Sequence, residues 1–488
     1  MNLADPILRH GRVQPATIAV VDKNRTITYA ELADLVQRTA GHLWVLGVRP
    51  GDYVGLCLKD DWQHIAALLA VAHLGAITVQ IDRRSRATER ARVVEAFPLR
   101  LALVTLETEV GIDCRKVTLD AAWHAAISAS TQIIETGQDQ SVPFAVLASS
   151  GTTGIPKFTL ATHLQYYFHI ASYLEILPSK PHRYLSTLPL YFSSGRVACL
   201  SHLWRGDTIV LSPVVFSADE FVENIARHRI TVARVVPSVL RNLLPIADQR
   251  GPVLSDIDLL VSTGAPLFSD EKLEIACKVS PNLCEMYGAA AIGPITVIKS
   301  DEIRLRPASV GRPFSRIDVD IVDDDDQPVG FGVIGQLRCR GPSLTTPIAD
   351  ATAASAEFRN GWYYPGELGM VDELGYVFLH GRTSDVIFRS GAKIFPSEVE
   401  AVLQEHDDVA EAAVVGRALP DNEQEVAAYV IAKGEVTPGQ LVARCRQRLT
   451  PYKVPRQIHI VSELPRNSSG KVDKRALANQ VVSTRASV

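Results

Sequence analysis

Four hydroxyls, two glycines and a lysine stand together in Ser149-Ser150-Gly151-Thr152-Thr153-Gly154-Ile155-Pro156-Lys157, with no apolar side chain before Ile155. Glycine lets backbone approach a ligand closely, amide N–H groups and hydroxyls donate to phosphate oxygens, and the lysine adds a mobile positive charge. A polar surface loop has a similar composition. The arrival of the whole set behind the apolar run Phe144–Ala148, which reads as a buried strand, favours a cradle for a polyphosphate. It is not a P-loop of the Walker type, because the G-x-x-x-x-G-K-[ST] spacing is absent. A second basic loop, "LPRNSSGKVDK", ends near Lys474 and presents Lys471 behind Ser468, Ser469 and Gly470. One such tip is a surface turn. Two in separate domains fit a reaction assembled between domains, in which one loop holds a nucleoside triphosphate. The other brings a cation to the charge developing at the reacting phosphate.

The elements that must position these loops follow from periodicity. Up to about residue 300, helical patterns alternate with short apolar runs: Tyr53–Leu58, Ala102–Thr105, Thr208–Leu211, Ile230–Val236 and Leu259–Ser262. Strands separated by helices predict βαβ units, a largely parallel sheet and ligands at the strand carboxyl ends. The stretch His64–Ile81 reads as a buried helix running into a strand. From about 303 to 380 short runs alternate with Gly/Pro/Asp turns, which predicts antiparallel strands or a small β-barrel subdomain. The run Asp323–Asp326 reads as a solvated hairpin turn rather than a calcium loop. After Asp385 a compact α+β segment is expected. Ser397 and Glu400 form an S-x-x-E capping box, strands lie near Ala410–Val415, Glu425–Ile431 and Gln457–Val461, and a helix is introduced by Thr437-Pro438. The fold class is therefore α/β: a large N-terminal domain over 1–384 and a smaller, mobile C-terminal domain over 385–488.

With 488 residues, 47% apolar and 21% charged, the chain has enough core for two or more soluble domains. A net charge of −4 gives no electrostatic reason to expect nucleic acid as a partner. Seven scattered cysteines without a C-x-x-C pair argue against a disulfide framework or a zinc site. The N-terminus lacks a signal-type apolar segment, and no run is long enough to span a bilayer, so a cytoplasmic location is expected. After "GKVDKRAL" the sequence leaves no room for an attached carrier domain.

In order and over essentially the full length, the chain resembles the adenylate-forming superfamily of acyl- and aryl-CoA ligases, adenylation domains and luciferases. The motifs are "ITYAEL" at 27–32, "SSGTTGIPK" at 149–157, "LPLYFSSG" at 188–195, "STGAPL" at 262–267 and "YGAAA" at 287–291. They continue with "GQLRCRGP" at 335–342, "WYYPGELG" at 362–369, "GRTSDVIFRSGAKIFPSEVE" at 381–400 and "PRNSSGKVDK" at 465–474. The resemblance implies two steps. A carboxylate attacks the α-phosphate of ATP to give an acyl-adenylate and pyrophosphate; the smaller domain then swings, and a thiol displaces AMP. It places Ser149, Ser150, Gly151, Thr152, Thr153, Gly154 and Lys157 around the phosphates, with Gly264, Ala265 and Pro266 along the adenine. Tyr287 and Gly288 would lie beside the base, Glu367 at the ribose, and Arg382 at ribose or phosphate. Asp385 becomes the hinge, and Lys471 bridges carboxylate and α-phosphate, where a desolvated ammonium offsets the repulsion of two anions. Phe192, Ser193, Ala290 and Ala291 would line the acyl pocket, and Gly391 and Lys393 the channel for coenzyme A. ATP, Mg2+ and coenzyme A are the implied cofactors.

Three positions depart from the pattern. The usual Tyr-Gly-x-Thr-Glu reads Tyr287-Gly288-Ala289-Ala290-Ala291, so a phosphate-binding hydroxyl and the magnesium-binding carboxylate are missing and no metal ligand is assigned. The ribose aspartate is Glu367, and Phe192 stands where many CoA ligases carry a histidine. Each lost charge-assisted contact is worth roughly 1.5–3 kcal/mol, about one to two decades in rate. "IFPSEVE" is similar to CoA ligases and favours coenzyme A as acceptor over a separate acyl or peptidyl carrier protein. A nucleotide-binding relative with little catalysis is the reading of another class. The segment "PLYFSSGRVACLSHLWRG" with Ala290, Ala291 and Ile292 predicts an apolar pocket without buried charge, which favours an aryl or aliphatic monocarboxylate.

Overall fold

The computed structural model describes residues 2–23, 25–109, 111–132, 134, 139–149, 157–212, 217–348, 357–389, 392–419, 424–466 and 472–479. Contacts divide the chain into two compact units: residues 1–319 with 339–363, and residues 320–338 with 364–488. This division falls inside the stretch of short strands.

The first unit holds two sheets. Five successive pairings in the nine-stranded sheet are parallel, through Leu283–Ala289, Leu259–Thr263, Val232–Val235, Arg183–Ser186, Thr208–Leu211 and Ile18–Asp22. In the seven-stranded sheet, Pro143–Ser149 runs parallel to Ile77–Gln80, and the parallel set continues through Tyr53–Cys57, Leu99–Val104 and Lys116–Thr118. The largest buried cluster joins one face of each sheet, through Tyr184, Val232, Val261 and Cys284 on one and Val54, Leu56, Leu103 and Leu147 on the other. Helices Trp62–His73, His163–Leu174 and Ser193–Arg205 contribute to this layer. The opposite face of the nine-stranded sheet packs on Pro237–Arg250 and Ser269–Lys278. Sequence order dictates this: apolar strands buried on both faces need helices on both.

Local signals hold at several elements. Thr28 caps Tyr29–Val45 by accepting from Glu31 N, with the Glu31 side chain returning to the Thr28 amide. The predicted buried stretch becomes the helix Trp62–His73, capped by Asp61, and the strand Ile77–Gln80. Asp323 accepts from the amides of Asp325 and Gln327, and Asp326 has φ +59°, so the acidic run is a hairpin turn.

The second unit packs Val409–Ala418 antiparallel to Gln424–Ala432, which runs parallel to Gln457–Ile460. Helices Pro396–Gln404 and Pro438–Arg448 cover one face, and Leu477 of Lys474–Asn479 seals the other. The capping box expected at Ser397 and Glu400 does not form. The helix begins at Pro396, two residues before a Ser397 cap would start it, so the Ser397 hydroxyl donates instead to His380 O at 2.6 Å. Glu400 is buried, accepts from Val414 N at 2.7 Å and pairs with Lys474 at 2.6 Å. All seven cysteines are free; five are buried, Cys114 is half-buried and Cys277 is exposed.

Candidate active site

Both chemistry-bearing loops hang from antiparallel pairs. Pro143–Ser149 pairs antiparallel with Lys157–Thr162, with Ser149 the register partner of Lys157. Arg466 pairs with Val472, and Asp473 N donates to Pro465 O at 2.7 Å. Ser150, Gly151, Thr152, Thr153, Gly154, Gly391 and Lys471 lie outside the described residues, as does the side chain of Ser149. The Lys157 ammonium pairs with Glu357 in the same unit.

The edge expected to take the adenine is assembled by strand register. Thr263 is the parallel partner of Met286, and its hydroxyl donates to Met286 O at 3.0 Å. The next residues, Gly264, Ala265 and Pro266 on one strand end and Tyr287 and Gly288 on the other, therefore sit side by side at the carboxyl edge. Gly264 and Pro266 are exposed, and Gly264 has φ +91°, which only glycine adopts cheaply. A Cβ at Gly264 would meet Val236 Cγ1 alone, at 3.5 Å, so the face above it is open to a planar base. At Gly288 a Cβ would stand 2.5 Å from Gly293 O, so the Leu283–Ala289/Gly293–Ile298 hairpin requires glycine there.

Two buried charges hold this edge from behind, and sequence reading missed both. Lys272 Nζ lies 2.5 Å from Glu285 Oε2 and donates to Ser309 O at 2.8 Å. Glu285 Oε1 accepts from Leu267 N at 3.1 Å, pinning the chain just after Pro266. The available signal was a glutamate in the middle of the apolar strand "LCEMYG".

Ala290 and Ala291 occupy the hairpin turn. Ala291 is buried in the main core, with its carbonyl accepting from Thr345 N at 2.8 Å. Neither offers a donor side chain, and no group of three His, Cys, Asp or Glu suited to a metal ion occurs among the described residues. The described residues do not fit a magnesium held by the protein.

Phe192 and Ser193 stand half-buried at the start of Ser193–Arg205, with the Arg84 guanidinium 5.9 Å from the Phe192 ring. The predicted absence of buried charge fails in this segment. Arg196 is 1% exposed, and its Nη1 donates to Leu190 O and Tyr191 O, carbonyls left open where the chain turns into the helix. On the neighbouring strand Arg234 is 4% exposed and donates to Ser194 O at 3.1 Å.

In the second unit Glu367 and Arg382 are antiparallel register partners. Gly366, at φ +82°, accepts from Thr383 N and its hydroxyl, which places the Thr383–Asp385 turn directly after Arg382. Lys393 is exposed and pairs with Asp324 at 2.9 Å. No helix among the described residues is long and apolar enough to cross a membrane.

Comparison with known proteins gives this geometry a context. The family model described as AMP-binding enzyme matches residues 7–347, and that of the AMP-binding enzyme C-terminal domain matches 398–471. Indoleacetate–CoA ligase of Aromatoleum aromaticum is 29% identical, over 97% of both chains. The 2-succinylbenzoate–CoA ligase of Bacillus licheniformis is 30% identical over 96% of this chain and 98% of its own. Among solved structures, o-succinylbenzoate CoA synthetase of Bacillus subtilis, in complex with its acyl-adenylate intermediate, superposes with a TM-score of 0.88. That match has 26% identity and covers 97% of this chain and 98% of that one. The same synthetase is also known with ATP and magnesium ion. The chain belongs to the AMP-binding enzyme family and is an adenylate-forming ligase in fold and class.

Proposed function

We propose that this chain activates a carboxylic acid with ATP and transfers the acyl group to coenzyme A. One observation carries the reading. Gly264-Ala265-Pro266 and Tyr287-Gly288 end adjacent parallel strands, in a chain similar to CoA ligases over nearly its whole length.

In this reading the open face at Gly264 takes the adenine, Tyr287 packs beside it, and the Glu367 carboxylate accepts from the ribose hydroxyls. Thr152, Thr153 and Lys157 hold the β- and γ-phosphates, which requires Lys157 to leave Glu357. Lys471 stands between the acid's carboxylate and the α-phosphate, where its ammonium offsets the charge that builds as the oxygen attacks. Asp385 is the hinge between a body over 1–384 and a mobile domain over 385–488. Gly391 and Lys393 then border the path of the pantetheine thiol, with Lys393 exchanging Asp324 for the incoming substrate.

A second reading draws on Ala290 and Ala291: a nucleotide binder with slow or no adenylation. Release of AMP and pyrophosphate across a panel of carboxylates, with and without coenzyme A, separates the two. Coenzyme-A-dependent AMP release supports the ligase. Turnover only with a carrier protein redirects the acceptor, and ATP binding without pyrophosphate from any acid sides with the second reading. Lys471→Ala is expected to bind ATP yet lose adenylation; retained adenylation would refute its role.

A further inference from the structure

Arg234 is a buried cation without an anion. It lies on the Val232–Val235 strand, one residue from the carboxyl end, on the face occupied by Tyr184 and Val232. Its Nη1 donates to Ser194 O, its guanidinium carbon sits 5.2 Å from the Tyr173 ring centroid, and its Nε has no partner among the described residues. No carboxylate lies within ion-pair distance of it among the described residues. The phenols around it are equally unspent. Tyr173 and Tyr184 are fully buried, and neither hydroxyl has a hydrogen-bond partner among the described residues. Tyr184 is the neighbour two residues back on the adjacent strand, where Val232 pairs with Tyr184 and Arg234 with Ser186.

A guanidinium with one backbone acceptor and no counter-charge, and two phenols with unpartnered hydroxyls, are costly to remove from water, and native interiors normally satisfy such groups. Arg234 reaches the first turn of Ser193–Arg205, the element that carries Phe192 and Ser193 at the expected acyl pocket, with the Tyr173 ring against its guanidinium. Arg196 is the instructive contrast. It is as deeply buried and its Nε is likewise unpartnered among the described residues, but its Nη1 is committed to two backbone carbonyls, which explains it as a brace.

We propose that the acid activated by this chain carries a second carboxylate, received by Arg234 with the Tyr173 and Tyr184 hydroxyls. A planar guanidinium is suited to a carboxylate, and acceptance from two phenolic O–H groups completes the anion's shell. The inference rests on the ligase reading for the position of the acid, and it replaces the monocarboxylate expected from sequence.

The test uses binding, so that it does not depend on turnover. Non-hydrolysable acyl-sulfamoyl adenosines are prepared in matched pairs: benzoyl with its 2-, 3- and 4-carboxy forms, and hexanoyl with the adipic half-acid. At least one diacid should bind roughly ten- to hundred-fold more tightly than its monoacid partner, the range of a hydrogen-bonded charge. In Arg234→Met that ratio should collapse towards one, and Arg234→Lys should retain part of it. Arg196→Met should weaken both members of a pair in step. AMP affinity and the thermal midpoint of each variant report folding. Preference for monoacids throughout, or an Arg234→Met that weakens both members equally, overturns the inference. Absence of pyrophosphate release with every acid would defeat the ligase reading, while the affinity ratio would still decide Arg234.

Discussion

Lys272→Met isolates the charge pair behind the proposed adenine edge. In the native fold Glu285 is 3% exposed and receives two contacts, the Lys272 ammonium at 2.5 Å and Leu267 N at 3.1 Å. Methionine fills the lysine stem but removes the cation, leaving a carboxylate with one amide donor in a dry site. Removing one partner of a buried pair costs about 3–5 kcal/mol, because the surviving charge stays desolvated. Adding Glu285→Gln removes that charge while keeping an acceptor for Leu267 N, so the double variant should regain about 2 kcal/mol or more of the loss. Denaturant unfolding of all four proteins gives the coupling, and AMP affinity, measured in parallel, reports the edge. It should fall in Lys272→Met, where Leu267 loses a fixed anchor, and recover in the double variant. A single-variant loss below about 1 kcal/mol, or strictly additive losses, would refute the argument.

Three further outcomes follow. Burial, assisted by Asp22 and Asp60, raises the Asp61 carboxyl to about 6 against the amide bonds from His64 and Gln63. Its charged form is thus disfavoured in the fold, a cost absent below about pH 4 and complete above about pH 6. Asp61→Asn, which keeps the helix cap, should stabilise the chain above pH 6, by at most about 3 kcal/mol, and not at pH 4. Gly311 has φ +94°, and a Cβ there would stand 1.8 Å from Val297 O, so Gly311→Ala should lose more than about 2 kcal/mol in the same unfolding assay. Glu357→Gln releases Lys157 and should lower the KM for ATP several-fold in initial-rate measurements; an unchanged or higher KM would show that the pair does not compete with phosphate.

Much of the fold was legible because apolar runs and helical periods alternate cleanly; Thr208–Leu211 appears with its expected bounds, and Leu259–Ser262 extends by one residue. What escaped was tertiary. Ser397 carries the composition of a cap, yet Pro396 starts the helix and the hydroxyl finds His380 O, a partner 17 residues away in sequence. The apolar run before Ser150 was recognised, but not that Lys157 pairs back onto it, since register is set by the partner strand. Arg196 and Arg234 interrupt apolar segments in one dimension, where nothing distinguishes a solvated charge from a buried one. At the proposed adenine edge the motif residues were legible, whereas Lys272 and Glu285 are 13 positions apart and meet only once the sheet is built.

The burial of the cysteines bears on the chain's own safety as a ligase. An acyl-adenylate is an activated mixed anhydride, and any accessible thiolate competes with the intended acceptor. Desolvation pushes the Cys57 and Cys445 thiols up to about 11 and those of Cys199 and Cys284 to about 12, so at neutral pH they stay protonated and unreactive. Cys277 alone is exposed. An intermediate escaping without a thiol acceptor would therefore mark the protein at Cys277, making that residue a built-in recorder of leakage, readable by peptide mass spectrometry.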